Sequence, residues 1–170
     1  MNIIVVRADG TFYTRPDTTL ERDPKDFYLP DDLSRVTARN CTYIKIIKAG
    51  KAVPERFAAR YFDAVGRGVL LYCSSEAPAV PELPYIDYSS YFFEPCTPVN
   101  NCLPGEVSHL CKEIERITRH ISVRFADIIA FEEGDSREFR RGDTVVNGAG
   151  AGRHSEADAA SEEDFDFRIC

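Results

Sequence analysis

The sequence predicts an α+β fold that is mostly β, and three observations predict it. Short runs of β-branched and aromatic residues recur along the chain. Only Glu106–Thr118 keeps a sustained helical period, with a second helix expected after Pro54. Gly, Pro and Asp turn signals punctuate the segments between them. A length of 170 residues suits one domain with a large enough core to need no staples.

Ile3–Val6 reads as a strand, Asp9-Gly10 as a turn and Thr11–Thr14 as the returning strand of a hairpin. Residues 15–35 read as irregular, anchored to the core by Phe27, Tyr28 and Leu29. Thr42–Lys48, with Tyr43, Ile44, Ile46 and Ile47, is a strand, and Ala49-Gly50-Lys51 turns the chain. Pro54 opens a helix in which Phe57, Tyr61 and Phe62 read as core aromatics. Val65–Tyr72 is a buried strand. Prolines 78, 81 and 84 exclude regular structure between Ser74 and Pro84, and Tyr85–Phe93 is aromatic and partly extended. In Glu106–Thr118, Val107, Leu110, Cys111, Ile114 and Ile117 share one helix face. Ile128–Phe131 and Thr144–Val146 are short strands. The Gly/Ala-rich, then acidic, stretch 147–163 reads as a flexible loop. Phe165–Ile169 alternates with period 2 and reads as a strand returning to the sheet. The organisation is therefore a domain over 1–146, a loop over 147–163 and a terminal strand over 164–170.

The charge balance narrows the classes of function. With 28 acidic and 21 basic residues, net −7, the chain does not read as a nucleic-acid binder or an anionic-lipid binder. No stretch approaches a membrane span, and the N-terminus lacks a signal-peptide pattern, so a cytoplasmic location is expected. None of the six cysteines is in a C-x-x-C spacing, and free thiols are expected. The histidines 109, 120 and 154 adjoin no nucleophile motif and read as surface residues, His109 within reach of Glu113. Tyr85, Tyr88, Tyr91, Phe92 and Phe93 read as core or as a contact between copies, and the acidic run Glu156–Asp166 as a solvated loop.

Several segments, in order, resemble the fumarylacetoacetate hydrolase family, especially its short bacterial hydroxyhepta-dienedioate isomerase and hydrolase members. Arg15-Pro16-Asp17-Thr18-Thr19-Leu20 is similar to the family's K-P-[DS]-[TS]-A-[LI] segment, and Phe27–Pro30 to the segment after it. Ile44–Lys51 resembles its long strand and turn. Pro54–Gly68 resembles its helix and the G-x-G entry to the next strand. Glu106–Val123 resembles the late helix, Ala126–Ile129 the L-x-x-G-D-[LV]-[IL] strand, Arg141-Gly142-Asp143 a G-D turn, and Phe165–Ile169 the last strand. The resemblance implies a β-roll or sandwich with two main helices, assembled as a homodimer or paired with an intact relative.

The resemblance also implies a chemistry, and the matching positions depart from it. The family cleaves, isomerises or decarboxylates 2-keto and enol acids on Mg²⁺ or Mn²⁺, held by an E-x-E pair and an Asp, with a Lys and an Asp in a K-x-F-D segment. Here E-x-E falls at Arg39-Asn40-Cys41, the strand Asp at Leu70, and K-x-F-D at Tyr91-Phe92-Phe93-Glu94. Glu132-Glu133-Gly134-Asp135 replaces the G-T-P-x-G turn, and the N-terminal segment carrying the catalytic His is missing. An arginine cannot ligate a cation, and a lone cysteine is too soft for Mg²⁺.

The expectation is a degenerate scaffold with a binding or assembly role and no metal cofactor. Its vestigial pocket candidates are Arg39, Cys41, Leu70, Tyr91 and Glu94, and a small carboxylate is its possible ligand. The alternative is an active hydrolase, isomerase or decarboxylase of 2-keto or 2-hydroxy-dienoic acids with a rebuilt site, in which Arg39 holds a substrate carboxylate. A third reading makes Cys41 a reactive thiol beside Arg39 and Lys45.

Overall fold

The computed structural model describes residues 1–21, 26–31, 33–74, 89–93, 96–146 and 166–170. The described strands are β1 (Asn2–Val6), β2 (Phe12–Pro16), β3 (Leu20–Glu21), β4 (Arg35–Lys45), β5 (Ala64–Ser74), β6 (Ser90–Phe92), β7 (Thr97–Pro98), β8 (Ile128–Phe139), β9 (Thr144–Val146) and β10 (Asp166–Arg168). The helices are α1 (Glu55–Ala58) and α2 (Pro104–Thr118). The main sheet runs β2-β1-β8-β4-β5-β6-β3, with β7 added to β5. β1 lies parallel to β8 and β3 parallel to β6, and the other pairings in this sheet are antiparallel.

The sheet curls into a roll. Its two edge strands, β2 and β3, are joined by a single 3₁₀ turn, Asp17–Thr19. Arg15 on β2 then bonds the far side of the sheet, at the carbonyls of Leu71 and Ser89 and the hydroxyl of Ser90. Because strand side chains alternate, each strand lines the inside with one set of residues and the outside with the other. Ile3, Val5, Cys41, Tyr43, Leu70, Ile128 and Ala130 pack on the inner face. Outside, α2 lays Leu110, Cys111, Ile114 and Ile117 over Ile4, Val6, Ile44, Ile46, Val65 and Ile129. Further along the same outer face, β9 and β10, with Phe27, Leu29 and Leu33, cover Val36, Ala38, Val69 and Leu71. Each fully buried aliphatic side chain contributes roughly 1.5–3 kcal/mol.

The glycines of the G-x-G entry are packing devices. The ring of Tyr43 occupies the place of a Cβ at Gly66. A Cβ at Gly68 would stand 2.5 Å from the Tyr91 carbonyl and 3.1 Å from Cys41 Sγ.

Several elements differ from expectation. β4 begins at Arg35 rather than at Thr42, because Val36, Ala38 and Cys41 are apolar and inserted between charged and polar residues ahead of the expected strand. β8 continues to Phe139, its exposed charged half held by pairing to β4 across a register shift between Arg39 and Cys41. The helix after Pro54 is a single turn; Phe62 is core, whereas Phe57 is 38 % exposed. Phe27 and Leu29 anchor their segment, but Tyr28 points to solvent. The terminal strand joins β9 in a separate two-stranded ribbon rather than the main sheet. Residues 75–88 and 147–165, with Tyr85, Tyr88 and the expected flexible loop, lie outside the described residues. No described helix is long and apolar enough to cross a membrane.

Candidate functional site

The polar groups of the inner face gather at one end of the roll. β1 delivers Arg7 just past Val6, β2 delivers Tyr13 and Arg15, β4 Arg39, β5 Tyr72 and β8 Glu132. The register makes this a single surface. Tyr13 opposes Val5, Arg15 opposes Ile3, and Glu132 opposes Cys41, all inward-facing positions. Tyr72 lies two residues from Leu70 on the same strand face.

A directed chain of hydrogen bonds links them. Arg15 Nε donates to the Tyr13 hydroxyl at 3.1 Å, Tyr13 donates to the Tyr72 hydroxyl at 2.9 Å, and Tyr72 donates to Glu132 Oε1. Arg15 is 2 % exposed, its other donors held by Ser90 Oγ and by the Leu71 and Ser89 carbonyls. Its guanidinium also lies 4.6 Å from the centre of the Tyr72 ring. Burial raises the Glu132 carboxyl above its ordinary range, opposed by Arg39, Arg7 and Arg15. Burial likewise raises the Tyr13 hydroxyl, against the pull of Arg15.

Two further cations lie over the tyrosine rings of this chain of bonds. Arg39, half-buried, lies 5.9 Å from the Tyr72 ring centre, and Arg7, exposed, lies 4.9 Å from that of Tyr13. Among the described residues the Arg39 side chain has no hydrogen bond and no ion pair. Glu132 acts on it only through space. Among the described residues, Arg39 is therefore not paired with a local carboxylate, the ordinary fate of a strand arginine.

Of the residues singled out from sequence, three come together. Arg39 and Leu70 are direct cross-strand partners, and Cys41 follows Arg39 on the same face. Tyr91 does not join them. It opposes Val69 and points to the outer face, where it stacks on Phe167 at 4.2 Å and 11°. Placing it in the pocket is a slip of one residue, which on a strand exchanges the faces; Ser90 and Phe92 are the β6 residues beside Leu70 and Gly68. Glu94 lies outside the described residues. Cys41 is 1 % exposed, and burial pushes its thiol far up, opposite to the lowered value a reactive thiol needs. His109 and His120 are exposed, and Glu113 pairs with Arg116 rather than His109. Tyr13, Tyr72, Glu132 and Arg7 escaped the sequence reading. The signal available was period 2, since Tyr13 and Arg15, and Leu70 and Tyr72, are same-face neighbours.

The donor set does not fit a hard divalent cation. Among the described residues no three His, Cys, Asp or Glu side chains converge. Arg39, Cys41 and Leu70 offer a guanidinium, a buried thiol and an aliphatic side chain, and Glu132 beside them is surrounded by arginines.

No protein-family model matches the sequence, and no curated protein matches it. Solved structures do. A Yersinia pestis CO92 protein assigned to the fumarylacetoacetate hydrolase family superposes with a TM-score of 0.68 at 15 % identity, over 99 % of this chain and 93 % of that one. Fumarylpyruvate hydrolase from Pseudomonas aeruginosa, solved with Mn²⁺ and pyruvate, gives 0.64 at 13 %, over 86 % and 83 %. The 2-hydroxyhepta-2,4-diene-1,7-dioate isomerase from Mycobacterium marinum gives 0.66 at 16 %, over 85 % and 68 %. The chain thus has the fold of these hydrolases and isomerases.

Proposed function

We propose that this chain is a catalytically degenerate, cytoplasmic scaffold of the fumarylacetoacetate hydrolase family, whose roll binds a small carboxylate directly rather than through a metal. One observation supports the reading above the rest. Arg39 stands where the family has a metal-binding carboxylate, half-buried on the inner face and unpaired among the described residues. A metal site in the family presents positive charge to a keto acid through carboxylate ligands. Here the protein presents that charge itself, as a planar fork of donors matched to a carboxylate. Arg7 adds a second cation, and the Arg39 guanidinium lies 5.9 Å from the Tyr72 ring centre.

Calorimetric titration with pyruvate, oxaloacetate and fumarate, in the presence of a chelator, tests this. Binding is expected without divalent cation, weakened by about tenfold or more in Arg39→Met, the loss of a charge-assisted pair. Stoichiometric Mg²⁺ or Mn²⁺ binding with turnover of an acylpyruvate would overturn the reading, as would unchanged affinity in the variant.

A second reading, an active enzyme with a rebuilt site, is favoured by Glu132. A carboxyl raised by burial and hydrogen-bonded by Tyr72 is suited to proton transfer. Turnover of a 2-keto acid that Glu132→Gln abolishes while leaving binding intact would decide for it.

A further inference from the structure

The end of the roll away from Arg39 carries a different surface. The turn after β4 and the turn before β8 are tied by five backbone hydrogen bonds: Ile46 N to Asp127 O, Ala126 N to Ile46 O, Gly50 and Val123 reciprocally, and Ala52 N to Thr118 O. A further bond, Ile47 N to Tyr61 O, fastens the residues after α1 to the same plate. Residues 45–52 and 119–126 carry Lys45, Lys48, Lys51, Arg119 and Arg124 and no acidic residue. All five cations are exposed, and only Arg119 has a described ion pair, with Glu115. Along the border, Asp17 is paired with the N-terminal amine and Glu55 is half-buried.

The plate also holds apolar side chains out in water. Phe125 is 72 % exposed at the tip of a tight turn, and Ile47 is 39 % exposed. Phe57 on α1 is exposed between Arg56 and Arg60, whose guanidiniums lie 4.8 and 5.2 Å from its ring centre. The Phe125 turn is built rather than loose. Asp127, buried, accepts the Arg124 and Asn2 amides on its two oxygens, and Ala126 takes a left-handed φ of 69°. A non-glycine residue is strained in that region, so the surrounding bonds hold the tip in place.

We propose that this plate docks on an anionic lipid bilayer, with Phe125 entering the headgroup layer and the lysines and arginines facing the lipid phosphates. Two features favour a bilayer over a protein or a nucleic acid. The aromatic ring protrudes from a fixed turn instead of lining a recess, and a bilayer accepts such a ring without a matching pocket. Cations ring the apolar side chains, so both interactions form in one orientation. The net charge of −7 argues against lipid binding for the chain as a whole. Attraction to a charged surface fades within a Debye length, about 8 Å at physiological salt, so the charge of the facing plate decides. Lys45 lies six residues along β4 from Arg39, roughly 20 Å, so docking leaves the Arg39 site free and does not depend on what that site binds.

Cosedimentation of the full chain with vesicles tests the proposal, with equal parts of phosphatidylcholine and phosphatidylglycerol set against phosphatidylcholine alone. The chain is expected to pellet with the anionic vesicles only, and to be released as salt rises. Each Lys or Arg at an anionic leaflet contributes about a fivefold factor in affinity, so a variant carrying Lys48→Glu, Lys51→Glu and Arg124→Glu is expected to bind about a hundredfold more weakly or worse. Phe125→Ser is expected to cost about tenfold. Circular dichroism and the unfolding midpoint verify that each variant is folded.

The chain contains no tryptophan, so Phe125→Trp installs a single fluorescent reporter at the tip. Its emission is expected to shift to the blue on anionic vesicles and to be quenched by brominated acyl chains. A wild type that stays in the supernatant overturns the proposal. So does unchanged binding in the charge-reversal variant, or an unshifted emission from bound Phe125→Trp. Binding to an oligonucleotide, or a dimer that the charge reversal dissolves, with vesicles left unbound in either case, would assign the plate to another partner and overturn it equally.

Discussion

Replacing Arg15 tests whether the roll is closed by the bonds that cross its interior. In Arg15→Met the chain keeps a side chain of similar length and loses the four described donated bonds, to Tyr13, Ser90, Ser89 and Leu71. Bonds from a charged donor contribute roughly 1.5–3 kcal/mol each, but not all of that is lost. The Tyr13 and Ser90 hydroxyls rotate to other partners, and the Ser89 carbonyl keeps the Leu71 amide at 2.9 Å. The methionine also gains apolar burial. What remains is about 3 kcal/mol, within the range for breaking a buried charged network, or a fall of about 6–12 °C in Tm for a chain of this size. Urea unfolding followed by circular dichroism reads it directly. Arg15→Lys is the sharper comparison, because the resembling family segment carries lysine there. A point charge with three donors cannot serve Tyr13, Leu71 and Ser90 from one planar fork, so about half the loss is expected. A cost under about 1 kcal/mol in the methionine variant, with an unchanged denaturant slope, would refute the closure argument.

Two further outcomes follow from the same geometry. The folded-state Glu132 carboxyl titrates above its ordinary value, so its contribution to stability is present below the ordinary carboxylate range and is lost as pH rises through the raised value. Glu132→Gln should flatten the fall of the urea midpoint over that window, and an identical pH profile in the variant would contradict the assignment. Gly68→Ala places a methyl 2.5 Å from the Tyr91 carbonyl and 2.8 Å from the Phe92 ring, so it should cost about 1–3 kcal/mol in chemical denaturation, and a neutral result would contradict the tight β5–β6 contact.

The parts of the fold that the sequence announced are those where one local rule dominates. The Ile3–Val6 hairpin has a β-branched run and a Gly10 turn at φ 81°, and α2 has a clean helical period. β4 before Thr42 and β8 past Phe131 are less legible because charged and polar residues outnumber the apolar ones there. They are strands by pairing to neighbours, a tertiary effect that local propensity does not report. The site divides the same way. Arg39, Cys41 and Leu70, which the resemblance assigns on strongly patterned strands, are brought together by the β4–β5 pairing. Tyr91 is reached only across the proline-rich stretch, where nothing in the sequence fixes parity, and it lies on the other face. Glu132, read as part of a replaced turn, sits on a strand that continues through it.

The alternation of β4 separates the residues that hold the fold from those that line the candidate site. Val36, Ala38 and Ile44 point outward and hold the ribbon and α2, as does Ile46 just past the strand's end, whereas Arg39 and Cys41 point inward. The outward set carries most of the burial that assembles the layers, so the inward set near the mouth is free to change charge without dismantling the sheet. What the inward set must satisfy is its own electrostatics. A buried Arg15 needs acceptors, and it has the Tyr13 hydroxyl, Ser90 Oγ and two carbonyls. Glu132, half-buried, needs donors and nearby cations, and it has Tyr72 with Arg7, Arg15 and Arg39. A divalent cation added among three guanidiniums would meet repulsion and one available carboxylate. Fold and chemistry therefore reside on opposite faces of the same strands, and a likeness of 13–16 % identity in the whole chain preserves the first while leaving the second to be read from Arg39 and its neighbours.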